Sequence, residues 1–320
     1  MNADTKNVSR RTGVLAVHSL DRFVFSVPQL EEAEDFYRAF GLDVRRRDGQ
    51  LDLFTFGHPH CWATLVQRDG PKQLQYVRYG IFADDAPAMQ ERINASGRAS
   101  KPHPLGTADG IWLTDPDGIA TQIVVADKAS PSAKTVLAPR PRVAPGQGAS
   151  PKRSVVQKIQ PRYLSHMLRF SPDVLRMTDF CKKVLGLRLS DSAGEGIAFI
   201  HTPHGSDHHL VAFAKSGAPG FHHSSWDVGS IHDVGLGAEQ MRNAGYTKGW
   251  GVGRHVLGSN YFHYVRDPWG SYCEYSCDID YVPHDLDWPT ADHHPEDAFY
   301  VWGPAVPEDF VTNFEPEPLP

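Results

Sequence analysis

Cysteine is scarce in this chain, with four in 320 residues. That is too few for the disulfide framework of a small secreted scaffold. Two of the four, Cys273 and Cys277, share one stretch with Glu274, so a reducing, cytoplasmic setting is expected. Long apolar runs are missing too. None approaches the roughly 20 residues that a membrane-spanning helix needs. The opening MNADTKNVSRR shows no hydrophobic segment of the secretory kind. Nor is positive charge in excess: the formal net charge is −6 and the pI lies near 6.3. Neither a nucleic acid nor an anionic membrane is therefore an expected partner. What the chain has in quantity is histidine, seventeen in all and crowded into the second half.

The length suits one large or two ordinary domains with cores of their own. After a polar leader to about Gly13, a strand is expected over SLDRFVFSV. Pro28 and a helix, QLEEAEDFYRAF, follow; its Phe36, Tyr37 and Phe40 recur at helical spacing and Gly41 closes it. Strands are expected at 51–56, 61–67 and 75–82, then a helix, APAMQERINASG, and a hairpin, IWLTDPDGIATQIVV. Residues 127–160 are rich in Pro, Ala, Ser and basic side chains, cannot bury a core, and read as a linker.

Beyond the linker the same grammar returns. YLSHMLRFSPDVLRMTDFCKKVLGLRL repeats LDRFVFSVPQLEEAEDFYRAFGLDV, and Gly41 and Gly186 align at an offset of 145 that sets Asp21 opposite His166. The D-P-x-G turns at Asp115 and Asp267, 152 apart, set Gln122 opposite Glu274. The NASG and RNAG stretches end equivalent helices, and an offset of 147 in this region sets Tyr76 opposite His223. The repeat predicts an α+β fold of two tandem domains built of βαβββ modules. Residues 14–126 form a unit without metal, 127–160 the linker, 161–284 the metal-binding catalytic unit, and 285–320 a tail packing on the domain or a neighbouring subunit.

The stretch from Arg254 to Cys277 organises the second half. A strand at Tyr261–Val265, a turn at Asp267–Gly270 and a second strand form a hairpin. On that second strand Tyr272, Glu274 and Ser276 share one face, and Cys273, Tyr275 and Cys277 the other. A carboxylate among aromatic and thiol groups is costly unless a cation compensates it. In FHHSSWDV, alternation sets His222, Ser224 and Trp226 on a face under a helix and His223, Ser225 and Asp227 on the polar face, so His223 is the expected ligand. His166, His223 and Glu274 together make a two-histidine, one-carboxylate set with positions left open, the arrangement of non-heme Fe(II) oxygenases.

The motifs SDHHLVAF, FHHSSWDV, GRH and HYVRDPWGSYCEY resemble those of type I extradiol ring-cleaving dioxygenases. These belong to the vicinal oxygen chelate (glyoxalase/bleomycin-resistance) superfamily. The resemblance runs from about Val17 to Tyr281. It implies the vicinal oxygen chelate fold, with Fe(II), or alternatively Mn(II), held by His166, His223 and Glu274. It also implies His209 as the catalytic acid/base and His255 with Tyr264 as a pair that hydrogen-bonds substrate. The implied reaction opens a catechol-type ring with O₂ to a 2-hydroxymuconic semialdehyde-type product, and a homo-oligomer is expected. His201 stands where an arginine is expected and Leu168 where some members carry a polar residue, which leaves the ring substituent open. Two other classes stay open on the same fold: a metal-dependent glyoxalase-like lyase or isomerase, and a metal-free binding protein. In the tail, DWPTADHHPEDAFYVWGP reads as a docking segment more readily than as a second metal site. GWGVGRH lacks the strand-to-helix switch of a phosphate loop.

Overall fold

Four modules follow one another along the chain, each a strand, a helix and then three strands, save that the second keeps only an isolated bridge, Ala99 with Leu113, and two strands after its helix. The structure is a computed structural model and describes residues 8–139 and 142–315, so the ends of the leader and the tail lie outside the described residues. The first half holds β1 (Ser19–Val27), α1 (Leu30–Phe40), β2 (Asp43–Arg47), β3 (Gln50–Phe54) and β4 (Ala63–Gln67). It continues with β5 (Gln73–Ile81), α2 (Ala86–Ala95), β6 (Ile111–Thr114) and β7 (Ala120–Val125). The second half begins with β8 (Tyr163–Ser171), α3 (Val174–Lys183), β9 (Arg188–Ala193), β10 (Ile197–His201), the short β11 (Ser206–Asp207) and β12 (Val211–Lys215). Next come β13 (Gly220–Asp227), α4 (Ile231–Asn243), β14 (Gly249–His255), β15 (Tyr261–Arg266) and β16 (Tyr272–Cys277). Three short strands finish it: β17 (Tyr281–Val282), β18 (Ala291–Asp292) and β19 (Tyr300–Trp302).

The first sheet is ordered β2-β3-β4-β1-β5-β7-β6, and the second β18-β9-β10-β12-β8-β13-β16-β15-β14-β19. In every module the last strand returns parallel to the first: β4 beside β1, β7 beside β5, β12 beside β8 and β16 beside β13. Modules join in pairs through antiparallel contacts, β1 with β5 and β8 with β13. This is the expected α+β architecture. The second strand of the first module, β2, was not foreseen, because the exposed arginines of DVRRR hide its pattern.

Helix α1 buries Leu30, Ala33, Phe36, Tyr37 and Phe40. Gly41 ends it at φ 100°, with Ile159 O only 2.0 Å from where a Cβ would stand. The two units pack through these helices and the cores of the sheets. Tyr275 stacks on Phe40 with ring centroids 3.9 Å apart, and its hydroxyl donates to Phe40 O at 2.7 Å. Cys273, Tyr275 and Cys277 all sit in the main core, as alternation required.

Register corrects one expected correspondence. Leu20 and Arg22 pair across β5 while Asp21 is skipped in a bulge. Arg22 faces Arg78, just as His166 faces Ser225, so Arg22 and not Asp21 is the counterpart of His166. Tyr76 and Gln122 do correspond to His223 and Glu274. Between the sheets, the described residues of 127–160 carry only a short 3-10 turn at Arg153–Val155. The tail turns back over the second sheet, with β18 pairing β9 and β19 pairing β14. The glycines of GWGVGRH let β14 lie close on β15; a Cβ on Gly253 would meet the Phe262 ring at 2.5 Å. Among the described residues no helix is long and apolar enough to cross a membrane. All four cysteines are free and buried.

Candidate active site

β8, β13 and β16 lie side by side, and one row across them carries the chemistry. Ser225 on β13 is in register with His166 on β8 and with Glu274 on β16. His223 stands two residues along β13, on the same face. Candidate ligand atoms of His166, His223 and Glu274 lie within 4.8 Å of one another, and all three residues are buried. Glu274 Oε2 is 3.4 Å from His166 Nε2 and 3.6 Å from His223 Nε2.

The neighbours of these groups decide where their protons sit. His222 Nε2 lies 2.7 Å from Phe310 O, and a carbonyl can only accept, so this nitrogen carries the proton. His222 Nδ1 then accepts from His223 Nδ1 at 2.6 Å, which leaves the lone pair of His223 on Nε2. Ser165 Oγ donates to Asp207 Oδ2 at 2.6 Å and stands 3.2 Å from His166 Nδ1, from which it accepts. That leaves the lone pair of His166 on Nε2 as well. Burial presses the His223 imidazole far below its ordinary value, so it stays neutral. Burial opposes ionisation of Glu274, but the histidines around it, His166 foremost, hold its carboxyl below the usual range, so it is an ionised acceptor.

Three acceptor atoms therefore face one point with no donor among them. His223 Nε2 and Glu274 Oε2 are buried and have no hydrogen-bond partner. Such an arrangement is repulsive by itself and fits a cation. Two imidazoles and a carboxylate are the donor set of a mononuclear divalent transition metal. Asn260 Nδ2 steadies the other carboxylate oxygen, donating to Glu274 Oε1 at 3.1 Å and to Ser276 Oγ at 2.9 Å.

His166, His223 and Asn260 form the floor of a cavity of about 410 Å³ whose walls include Leu168, Ile197, Phe199, Leu257 and Phe299. His209, His255 and Tyr264 line it as well. The His209 ring lies 3.9 Å from that of His166, and burial holds it neutral. His255 Nδ1 donates to Phe299 O at 2.9 Å, and its Nε2 accepts the Tyr264 hydroxyl proton at 2.9 Å.

One expectation about faces needs correction. His222 does not lie under a helix: a bulge between Phe221 and His223 turns it into the cavity wall beside its neighbour. Val211 and Phe213 of β12 are in the main core, whereas His209 precedes that strand and lines the cavity. β8 lies between β12 and β13 and brings His166 between His209 and His223. Leu168 lines the cavity, whereas His201 bonds Ser190 Oγ at 2.7 Å and does not line it. Asn260 escaped sequence reasoning because GSNY reads as turn chemistry. Its only signal was an amide directly ahead of a strand that faces the glutamate.

The model of the Glyoxalase/Bleomycin resistance protein/Dioxygenase superfamily matches residues 163–275. "Metapyrocatechase 2" of Cupriavidus necator is 49% identical over 302 residues, spanning 94% of this chain and 93% of the relative. Among solved structures, homoprotocatechuate 2,3-dioxygenase from Arthrobacter globiformis superposes with a TM-score of 0.73 at 19% identity, over 96% of this chain and 95% of that one. The Mn(II)-bound glyoxalase from Novosphingobium aromaticivorans gives 0.70 at 23%, over 94% and 98%. Those two likenesses establish the fold, which dioxygenase and glyoxalase share. The nearly full-length identity to a metapyrocatechase places the chain more narrowly: it belongs to the extradiol dioxygenases of the glyoxalase/bleomycin-resistance/dioxygenase superfamily.

Proposed function

We propose that this protein cleaves the ring of a catechol-type substrate with O₂, beside the hydroxyl pair, to a 2-hydroxymuconic semialdehyde-type product. His166, His223 and Glu274 would hold the metal, Fe(II) in the first place and Mn(II) as the alternative. The observation that carries this reading is the convergence of buried, unpartnered acceptor atoms on one point at the floor of an apolar cavity. Bound there, the ion supplies a Lewis-acidic template for the two diol oxygens and a path for electrons from diol to O₂.

The chain's own groups do the rest. Neutral His209, beside His166, takes a proton from the diol and returns one as the ring opens, the role of a general acid–base. Tyr264 and His255 form one hydrogen-bonded unit anchored on Phe299 O, and orient a substrate oxygen. Leu168, Phe199, Leu257 and Phe299 keep water from the reacting atoms. The second unit is the catalytic one in this proposal and the first its scaffold. Where the second unit holds His166, His223 and Glu274, the first has Arg22, Tyr76 and Gln122. Gln122 Nε2 is already engaged by Thr107 Oγ1 and Asp109 O, and Trp112 fills the space beside Tyr76. Gln122 Oε1 is left without a partner there, but neither Arg22 nor Tyr76 adds the imidazole or carboxylate that a glyoxalase-like site drawing ligands from both halves would need.

The test is a panel of catechols added to Fe(II)-loaded protein, first without oxygen to measure binding and then with it. A yellow ring-fission product with one O₂ consumed per diol is expected. Binding without ring opening across the panel, or turnover of a glutathione-type hemithioacetal instead, would overturn the proposal.

A further inference from the structure

The tail motif DWPTADHH has a use that a second metal site does not explain. Among the described residues, no metal-capable group of histidines, cysteines and carboxylates forms other than His166, His223 and Glu274. Instead the tail converges on Asp191, a buried carboxylate on β9. Asp191 Oδ1 accepts from Ala291 N at 3.0 Å and from His293 Nε2 at 3.1 Å. Asp191 Oδ2 accepts from Trp288 Nε1 at 3.1 Å and from His208 Nε2 at 2.8 Å. Asp292 secures the same segment to Ser192 Oγ at 2.7 Å and Gly194 N at 2.8 Å. Burial opposes the charge of Asp191, but the bonds from His208 and His293 hold its carboxyl below the usual range.

An ionised carboxylate only accepts hydrogen bonds, so His208 carries its proton on Nε2. In the neutral ring Nδ1 then holds the lone pair. The atom facing it, 3.1 Å away, is His209 Nδ1. For that contact to be a hydrogen bond, His209 must carry its proton on Nδ1, which leaves the lone pair on Nε2. The Trp288 ring, edge-on to His208 at 5.1 Å, limits the movement of the intermediary.

We propose that Asp191, clamped by Trp288, Ala291 and His293 of the tail, is a positioning residue: through His208 it fixes the tautomer of His209 that can receive a proton at Nε2. The inference rests on His209 serving the ring cleavage proposed above. It gives the tail a part in catalysis without contact with substrate. It also gives His208, the first of the two consecutive histidines, a part beside the base. Asp191 here acts on the base through one intermediate ring, and the polarity of both hydrogen bonds follows from the charge at the far end.

The experiment compares wild type with Asp191→Asn, both as the full chain. The amide has no charge and can turn an N–H toward His208, moving the His208 proton to Nδ1 and the His209 proton to Nε2. With metal content and KM for catechol unchanged, kcat should fall by about 10²-fold, within the range general acid–base catalysis contributes. A direct readout uses ¹⁵N-histidine spectra of protein loaded with diamagnetic Zn(II). His209 should be protonated at Nδ1 in wild type and at Nε2 in the variant. Should Asp191→Asn not fold, His208→Asn, which can keep an acceptor opposite His209, should retain much more activity than His208→Leu. Wild-type His209 protonated at Nε2, unchanged kcat in Asp191→Asn, or equal activity of the two His208 variants would overturn the inference. His209→Asn separates the two levels. If it leaves turnover intact, the proposed reaction scheme itself fails; if it stops turnover while Asp191→Asn does not, only the positioning role fails.

Discussion

Arg169 of the second unit and Asp115 of the first stand 2.7 Å apart, both almost wholly buried. The mirror contact joins Lys72 of the first unit to Asp267 of the second. Both aspartates open a D-P-x-G turn, and each uses Oδ1 to accept two backbone N–H groups of that turn. The repeated turn thus anchors each unit to a cation of the other. Asp115→Asn would leave the Arg169 guanidinium buried without its counter-charge, and removing one member of a buried pair costs about 3–5 kcal/mol. Urea unfolding should show a loss in that range. A loss below about 1 kcal/mol would mean that the pair is dispensable.

Metal content should depend on the second unit alone. His166→Ala, His223→Ala and Glu274→Ala are each expected to abolish bound Fe(II), measured by elemental analysis after loading and desalting. Arg22→Ala and Gln122→Ala, at the matching places of the first unit, should keep one ion per chain. Stoichiometric metal in Glu274→Ala would remove the basis of the proposed site. Stripping the wild type with a chelator should end turnover, and ferrous salt should restore it.

Stability should fall on acidification below about pH 6.5. Burial lowers His18 and His201 to about 3, and His204 and His263 to about 4, from an ordinary 6.5. Between those values the unfolded chain takes up protons that the folded one refuses, so stability present above pH 6.5 is lost as pH falls. Asp227 and Glu315, raised to about 7 by burial, act in the opposite direction. Burial raises Asp85, Asp117 and Asp207 too, but it lowers His103, His209, His222, His223 and His255 as well, so the histidines outnumber the acids. Each histidine contributes a slope of at most about 1.4 kcal/mol per pH unit. The urea midpoint should therefore drop between pH 7 and pH 5, and His263→Gln should make the drop shallower. A midpoint that rises on acidification would contradict the balance.

Much of this was legible in the sequence, for reasons that differ between residues. The repeat exposed Glu274 through its D-P-x-G turn, and strand alternation placed Cys273 and Tyr275 in the core opposite it. What stayed hidden were departures from period two. One skipped residue in β1 moved the counterpart of His166 from Asp21 to Arg22. A bulge at His222 swung that ring from the helix side to the cavity, where it sets the proton of His223. Asp191 was hidden for another reason. Its partners His208, Trp288 and His293 lie 17, 97 and 102 residues away, and no local pattern reports a contact so distant.

The ring substituent can be argued from the cavity walls. Leu168, Ile197, Phe199, Leu257 and Phe299 present hydrocarbon, and Lys215, exposed at the rim, is the one lysine or arginine among the lining residues. Each methylene of a substituent buried against such walls contributes about 0.8 kcal/mol, or roughly fourfold in affinity. A carboxylate in the same place would lose its hydration without meeting a buried cation. On Fe(II)-loaded protein, kcat/KM should rise from catechol to 3-methylcatechol and again to 3-ethylcatechol, and should fall by at least tenfold for a carboxylated catechol. Leu168→Ala should widen the preference toward longer alkyl chains, because the side chain it removes forms part of that wall. A carboxylated catechol turned over faster than the alkyl series would mean that Lys215 reaches the substituent, and Lys215→Met should then abolish the advantage.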